Sequence, residues 1–269
     1  MSATDYYGLS YMPFSGDADN DLNRFDSNDL KQAIAVTQVT SRESGIGLLT
    51  GPAGSGITFS AYFARQNLDA SQYTIRYYPV CHITPRDFYK GICRITGTEP
   101  KEKGREAMIS AIRERALALK AQGRPFFLFL DNAQNIPNVI MQDIPTLMMG
   151  EYGVGRIMGI VLCGTEELRG RIRSSCGDTL HQLVCGHYSF HGLSQQECSD
   201  YVIKCLTDAG ASEDVISKDV LDALRSTSYN GNFRTLRNLM RNVLRFGAQE
   251  KRKVIDMEVL RSAASHLVF

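Results

Sequence analysis

The sequence has no CxxC pair, no long apolar run, no excess of either charge and no internal repeat or low-complexity stretch. Its seven cysteines (Cys81, Cys93, Cys163, Cys176, Cys185, Cys198, Cys205) are odd in number and irregularly spaced, which speaks against a disulfide framework and fits reduced thiols. The longest apolar runs, Phe126–Leu130 and Ile157–Cys163, fall far short of the roughly 20 residues a membrane helix needs. Residues 1–15 lack the basic and apolar regions of a secretory signal, so the expectation is a soluble, cytoplasmic protein without membrane contact. Lys+Arg 30 against Asp+Glu 29 excludes chain-wide attraction to polyanions and leaves only local patches open. What is present is globular: 43% hydrophobic and 22% charged over 269 residues, enough for one large or two small domains.

Three stretches differ in character. Residues 1–28 are acidic and turn-rich, with Asp5, Asp17, Asp19, Asp21 and Asp26, yet hold the aromatics Tyr6, Tyr7, Tyr11 and Phe14. A disordered tail rarely carries so many rings, so this segment is expected to pack on the core. Residues 29–192 alternate strand and helix signals. Ile46–Thr50, Tyr73–Val80, Phe126–Leu130 and Ile157–Cys163 read as strands, and Thr58–Leu68, Pro85–Thr96 and 104–121 as helices. Continuous apolar strands between helices imply a parallel sheet covered on both faces. Residues 193–269 lose the strand signal. Ser194 with Glu197 forms a capping box, Ser217 and Asp256 stand at further helix starts, and a helix is expected from about Asn232 to Phe246.

The strongest chemical signal is Gly51-Pro52-Ala53-Gly54-Ser55-Gly56-Ile57-Thr58, which has the P-loop spacing between an expected strand and an expected helix. Glycines let successive backbone N–H groups wrap a phosphate, and the helix dipole adds positive potential. Thr58 stands where a hydroxyl would ligate Mg²⁺. Ile57 replaces the lysine that reaches the outer phosphates. Asp131 ends a strand, where a Walker B carboxylate would hold Mg²⁺. Its neighbour is Asn132 rather than the glutamate that polarises water; an amide can only position it. Loss of both groups predicts turnover lowered by several powers of ten.

These features, together with Tyr6-Tyr7-Gly8-Leu9, Pro13-Phe14, Leu130-Asp131-Asn132-Ala133-Gln134-Asn135, Val161–Leu168 and Gly192-Leu193-Ser194, resemble in order and spacing a known family. It is that of the AAA+ ATPases of the ExeA type and the transposition helpers, TnsC-like and Mu B-like, related to them. The resemblance implies a P-loop α/β domain followed by a small all-helical lid, with ATP and Mg²⁺ as cofactors. It implies Thr165 at the sensor 1 position and Arg234, in Gly231-Asn232-Phe233-Arg234, at the head of the sensor 2 helix. The arginine-finger position reads His181-Gln182-Leu183, without arginine. Such helpers assemble as homo-oligomeric rings or filaments on double-stranded DNA and recruit a transposase. In them the helix after the second strand touches DNA phosphates, which points to Arg86 and Lys90. The resemblance also puts Tyr6, Tyr7 and Phe14 beside the adenine; covering an apolar edge of the sheet is the competing reading. A secretion-type ATPase is disfavoured, because such proteins continue into a membrane segment whereas this sequence stops at Phe269. A nucleotide-independent scaffold that retains only the fold is the other alternative.

Two further groupings stand out. Arg234, Arg237, Arg241 and Arg245 fall on one face of their helix, opposite Leu236, Leu239, Met240 and Val243. From Arg225 to Lys253 there are eight basic residues and one acid, Glu250, a concentration suited to DNA or an acidic neighbouring subunit and equally to an ordinary wet helix face. Cys176, His181, Cys185, His187 and His191 lie within sixteen residues, but they include no C-x₂₋₄-C pair of the kind structural zinc sites favour.

Overall fold

A computed structural model describes residues 2–15, 24–81, 84–150, 153–175, 177–226 and 231–265. Asp17, Asp19, Asp21 and Cys176 lie outside them. The chain divides into two units: residues 30–52 with 57–190, and residues 1–29 with 53–56 and 191–269.

The first unit is a five-stranded parallel sheet, β1 (Ile46–Thr50), β2 (Thr74–Pro79), β3 (Phe126–Asp131), β4 (Met158–Gly164) and β5 (Val184–Ser189), in the order β2-β3-β4-β1-β5. The three inner strands are buried throughout, as their unbroken apolar runs require. Side chains alternate between two cores. Leu48, Leu128, Leu130, Ile160 and Leu162 pack with residues of α4 (Pro85–Thr96), α5 (Arg105–Ala121), α6 (Asn138–Met148), α7 (Glu166–Ser175) and α8 (Gly177–Gln182). Leu49, Phe127, Phe129, Val161 and Cys163 pack with residues of α2 (Asn28–Glu43) and α3 (Ile57–Gln66). The expected α/β architecture, with helices on both faces of a parallel sheet, is therefore present. β5 differs from the inner strands: it is an edge strand with half-exposed residues, and no apolar run announces it.

The second unit is helical. It contains α1 (Ala3–Tyr7), α9 (Gln195–Asp208), α10 (Lys218–Ser226), α11 (Phe233–Gln249) and α12 (Met257–Ser265). The Ser194/Glu197 capping box forms in full at α9, Asn232 caps α11 by accepting from the Thr235 amide, and Asp256 Oδ1 accepts from the amides of Glu258 and Val259 at α12. Ser217 precedes α10, but its hydroxyl is buried without a hydrogen-bond partner among the described residues.

The N-terminal aromatics belong to this helical core. Phe14 is 1% exposed and meets Tyr201 edge-on, and Tyr7 is buried with its hydroxyl donating to the Arg252 carbonyl at 3.0 Å. Burial raises the Tyr7 phenol to about 12. Both rings are packing residues of the helical core; Tyr6 is half-buried against Tyr7.

Candidate functional site

The glycine loop follows β1 and opens α3. Gly54 has φ +87° and Gly56 has φ +98°, while Ser55 between them keeps a negative φ. Such alternation turns successive amides toward one side, the arrangement of an anion nest, and only glycine adopts the two left-handed positions without strain. The first turn of α3 follows at once, so its unpaired N–H groups add to the same positive end. Ser55 is buried and Thr58 exposed. Ile57, half-buried, packs against the apolar cluster formed by α2, α3 and the sheet, so its side chain is a core contributor.

The tip of the loop, residues 53–56, belongs to the helical unit and is held there by the start of α11. The Asn232 side-chain amide donates to the Ala53 carbonyl at 2.8 Å, and the Arg234 backbone N–H donates to the Gly54 carbonyl at 3.3 Å. A Cβ at Gly54 would stand 2.5 Å from Asn232 Oδ1. Arg234 itself is exposed. The place of Asn232 at a helix start is readable in the sequence; its bond across 179 residues is not.

At the end of β3, Asp131 is 3% exposed and both carboxylate oxygens are engaged. Oδ2 accepts from the Tyr77 hydroxyl at 2.6 Å, and Oδ1 accepts from the Asn132 backbone N–H at 2.9 Å. No motif in the sequence points to Tyr77. Burial, then its bond to the Asp131 carboxylate, pushes the Tyr77 phenol far above the ordinary tyrosine range. Asn132 sits in the left-handed region, at φ 54° and ψ 39°, and starts a 3-10 turn at Ala133–Asn135. Asparagine tolerates this conformation better than glutamate does.

Beyond β4, the Thr165 hydroxyl is buried without a hydrogen-bond partner among the described residues, while its amide donates to Gln134 Oε1 at 3.3 Å. Arg171 on α7 clamps the turn from the other side. Its guanidinium donates to the carbonyls of Gln134 and Ile136, the latter at 2.5 Å, and to Asn138 Oδ1 at 2.6 Å. Asp131, Asn132 and Thr165 thus belong to one connected backbone-and-side-chain network, braced by Gln134 and Arg171.

The glycine loop suits a bound phosphate: two left-handed glycines lead directly into a helix start. The end of β3 suits a hydrated divalent cation, since a carboxylate offers about four lone-pair sites and Asp131 uses two within the protein. Among the described residues no cluster of three or more His, Cys, Asp or Glu is placed to hold a metal ion.

The basic residues separate by environment. Arg86 and Lys90 are exposed on α4, whose start is capped by the Thr84 hydroxyl, and Arg94 continues the same stripe one turn on. On α11, Arg245 is exposed, but Arg237 donates to the backbone carbonyls of Phe14 and Ser15, and Arg241 is half-buried with its Nε unpartnered among the described residues. Arg237 is therefore taken up in fastening the N-terminal segment to the helical core.

Residues 40–172, from before the glycine loop to past Thr165, match the AAA domain family. The α/β unit has the P-loop fold of AAA+ domains. It is similar to General secretion pathway protein A of Aeromonas hydrophila, at 27% identity over 227 residues, which is 84% of this chain. The chain spans only 41% of that relative's length. In fold it is similar to Cdc6p of Pyrobaculum aerophilum, with TM-score 0.72, 17% identity, 99% of this chain and 71% of that one. The ORC2 protein of Aeropyrum pernix, solved as ADPNP–ADP complexes, gives TM-score 0.67 at 14% identity, over 92% of this chain and 72% of that one. The ORC1 protein of Aeropyrum pernix in complex with DNA gives TM-score 0.61 at 16% identity, over 92% and 68%. Among the described residues no helix is long and apolar enough to cross a membrane.

Proposed function

We propose that this chain is a AAA+ helper of transposition that binds ATP and Mg²⁺, self-associates on double-stranded DNA and contacts a transposase, with little hydrolysis of its own. The observation that carries the nucleotide part is the sign alternation of φ across Gly54, Ser55 and Gly56 at the head of α3. Backbone amides there bind and orient the phosphates; Thr58 and Asp131 are the residues that would hold the cation, which when bound neutralises phosphate charge. The Thr165 hydroxyl, buried and unpartnered, is suited to donate to a phosphate oxygen or a water. Arg234, exposed where α11 meets the loop, supplies a cation for the same ligand.

Weak turnover follows from what these positions lack. Ile57 brings no charge to the phosphates and is committed to apolar packing. Asn132 has no proton-accepting carboxylate, and its left-handed backbone disfavours one. His181 and Leu183 offer a neighbouring subunit no guanidinium. Nucleotide would then serve assembly more than work.

The DNA part rests on the exposed row Arg86, Lys90 and Arg94, with Arg245 as a further exposed cation and Arg241 half-available. Cations on a helix face bind phosphates without reading sequence. That a structural neighbour was solved with DNA is in keeping with this. A secretion-type ATPase is the second reading, favoured by the likeness to General secretion pathway protein A. Cytoplasmic location is part of the proposal in either case.

The test is titration of a fluorescent ATP analogue with and without Mg²⁺, joined to electron microscopy of the protein with duplex DNA. Saturable binding and nucleotide-dependent assemblies on DNA are expected. Absence of nucleotide binding would leave the scaffold reading, and binding without any association with DNA would favour the secretion reading.

A further inference from the structure

The parallel register of β2 and β3 sets Tyr77 opposite Phe129 and Pro79 opposite Asp131. Side chains two residues apart on neighbouring strands share a face, so Tyr77 and Asp131 meet diagonally across the ladder. The phenol reaches Asp131 Oδ2 at 2.6 Å, while the other oxygen is fixed by the Asn132 backbone N–H at 2.9 Å. A carboxylate only 3% exposed has little water to orient it, and these two donors fix its plane from opposite ends. Tyr77 is partly buried against the apolar cluster that contains Phe127, Phe129 and Cys163, and its hydroxyl donates to Asp131 Oδ2. Phenylalanine would fill the same space and lose only that bond.

We propose that Tyr77 is a positioning residue for the cation-binding carboxylate, setting how readily Asp131 accepts a hydrated divalent ion alongside nucleotide. The inference rests on the nucleotide-binding reading above. It gives β2, otherwise an edge strand, a direct part in the site. Hydrogen-bond partners of a metal-binding carboxylate hold its orientation, and their removal typically weakens cation affinity by about 10–100-fold.

The test measures the Mg²⁺ concentration that half-saturates cation-dependent binding of a fluorescent ATP analogue, in the full chain and in Tyr77→Phe. The variant should shift that midpoint upward about tenfold, while affinity for the analogue in EDTA stays within twofold. A second pair, Asp131→Asn and Tyr77→Phe/Asp131→Asn, closes a double-mutant cycle. With the carboxylate gone, removing the phenol should no longer move the midpoint. An unchanged or lowered midpoint in Tyr77→Phe overturns the proposal, as does a shift of equal size when Asp131→Asn is already in place. Wild-type protein that binds no analogue under any condition overturns the nucleotide reading itself and this inference with it. Wild-type binding with a cation midpoint indifferent to Tyr77 overturns only the latter.

Discussion

Asn232 caps α11 with its side-chain oxygen and with the same amide group donates to the Ala53 carbonyl, 2.8 Å away at the tip of the glycine loop. One side chain therefore terminates a helix and tethers a phosphate loop. Replacement by alanine removes both bonds. Loss of a cap costs about 1 kcal/mol, which corresponds to a melting temperature lower by about 2–4 °C. Asn232→Ala should melt earlier by that amount and bind the ATP analogue several-fold more weakly. Asn232→Asp should keep the cap and, lacking the donor, lose only the loop tether. Equal nucleotide affinity in all three proteins would show the tether to be incidental.

Asn132 and Ile57 can be tested by restoration. Asn132→Glu forces a side chain disfavoured in the left-handed region, at about 1 kcal/mol, whereas Asn132→Gly should be neutral or slightly stabilising. Thermal melts distinguish these signs. The pair Ile57→Lys/Asn132→Glu should hydrolyse ATP at least about tenfold faster than the natural sequence, despite lower stability. A double variant no faster than wild type would show that these two positions are not what limits turnover.

For α4, replacing Arg86 and Lys90 together with alanine should weaken DNA binding uniformly across sequences. The slope of log affinity against log salt should fall by roughly one for each phosphate that is no longer neutralised. The comparison is Arg237→Ala, which severs the carbonyl bonds to Phe14 and Ser15. That variant should lower thermal stability and leave the salt slope unchanged. A reversed pattern would transfer the DNA role to α11.

His187 makes stability depend on pH in one direction. On β5 its Nε2 lies 3.1 Å from Thr50 Oγ1 and 3.4 Å from Ser189 Oγ, and burial, then the nearby Arg169 and Arg173, holds its pKa below the ordinary value. The unfolded chain takes up a proton near pH 6.5 and the folded one only at lower pH, so the unfolded state binds more protons in that interval. Stability should be flat above about pH 6.5 and fall as the solution is acidified below it. His187→Gln should flatten that limb in melts between about pH 4.5 and 8. An identical acid slope in the variant would assign the effect elsewhere.

Thiol labelling offers a further check. Cys163 is fully buried beside Asp131 and Cys205 is raised by burial to about 11, so neither should react with a maleimide at neutral pH, while exposed Cys81 should. Peptide mapping that finds Cys163 labelled in the native protein would contradict the packing around Asp131.

The elements legible in the sequence are those whose cause is local. Three unbroken apolar runs announce the inner strands, the Ser194/Glu197 pair marks the start of α9, and the glycine spacing marks the loop before α3. The departures have a common physical origin. Ser217 has the right residue type at a helix start, but whether a hydroxyl bonds a backbone amide is settled by packing. The Tyr77–Asp131 and Asn232–Ala53 bonds join residues 54 and 179 positions apart, and no periodicity encodes which strands or loops become neighbours. Arg237 reads like its exposed companions because helical spacing gives direction without saying what chain lies over it.

With Ile57 seated among hydrocarbon neighbours, a lysine at that place is more than one mutation away from being useful. A lysine there would give up the contacts that half-buried Ile57 makes with that cluster, and asparagine suits the left-handed backbone at 132. On the function proposed here, both positions favour a protein that holds its ligand rather than consuming it.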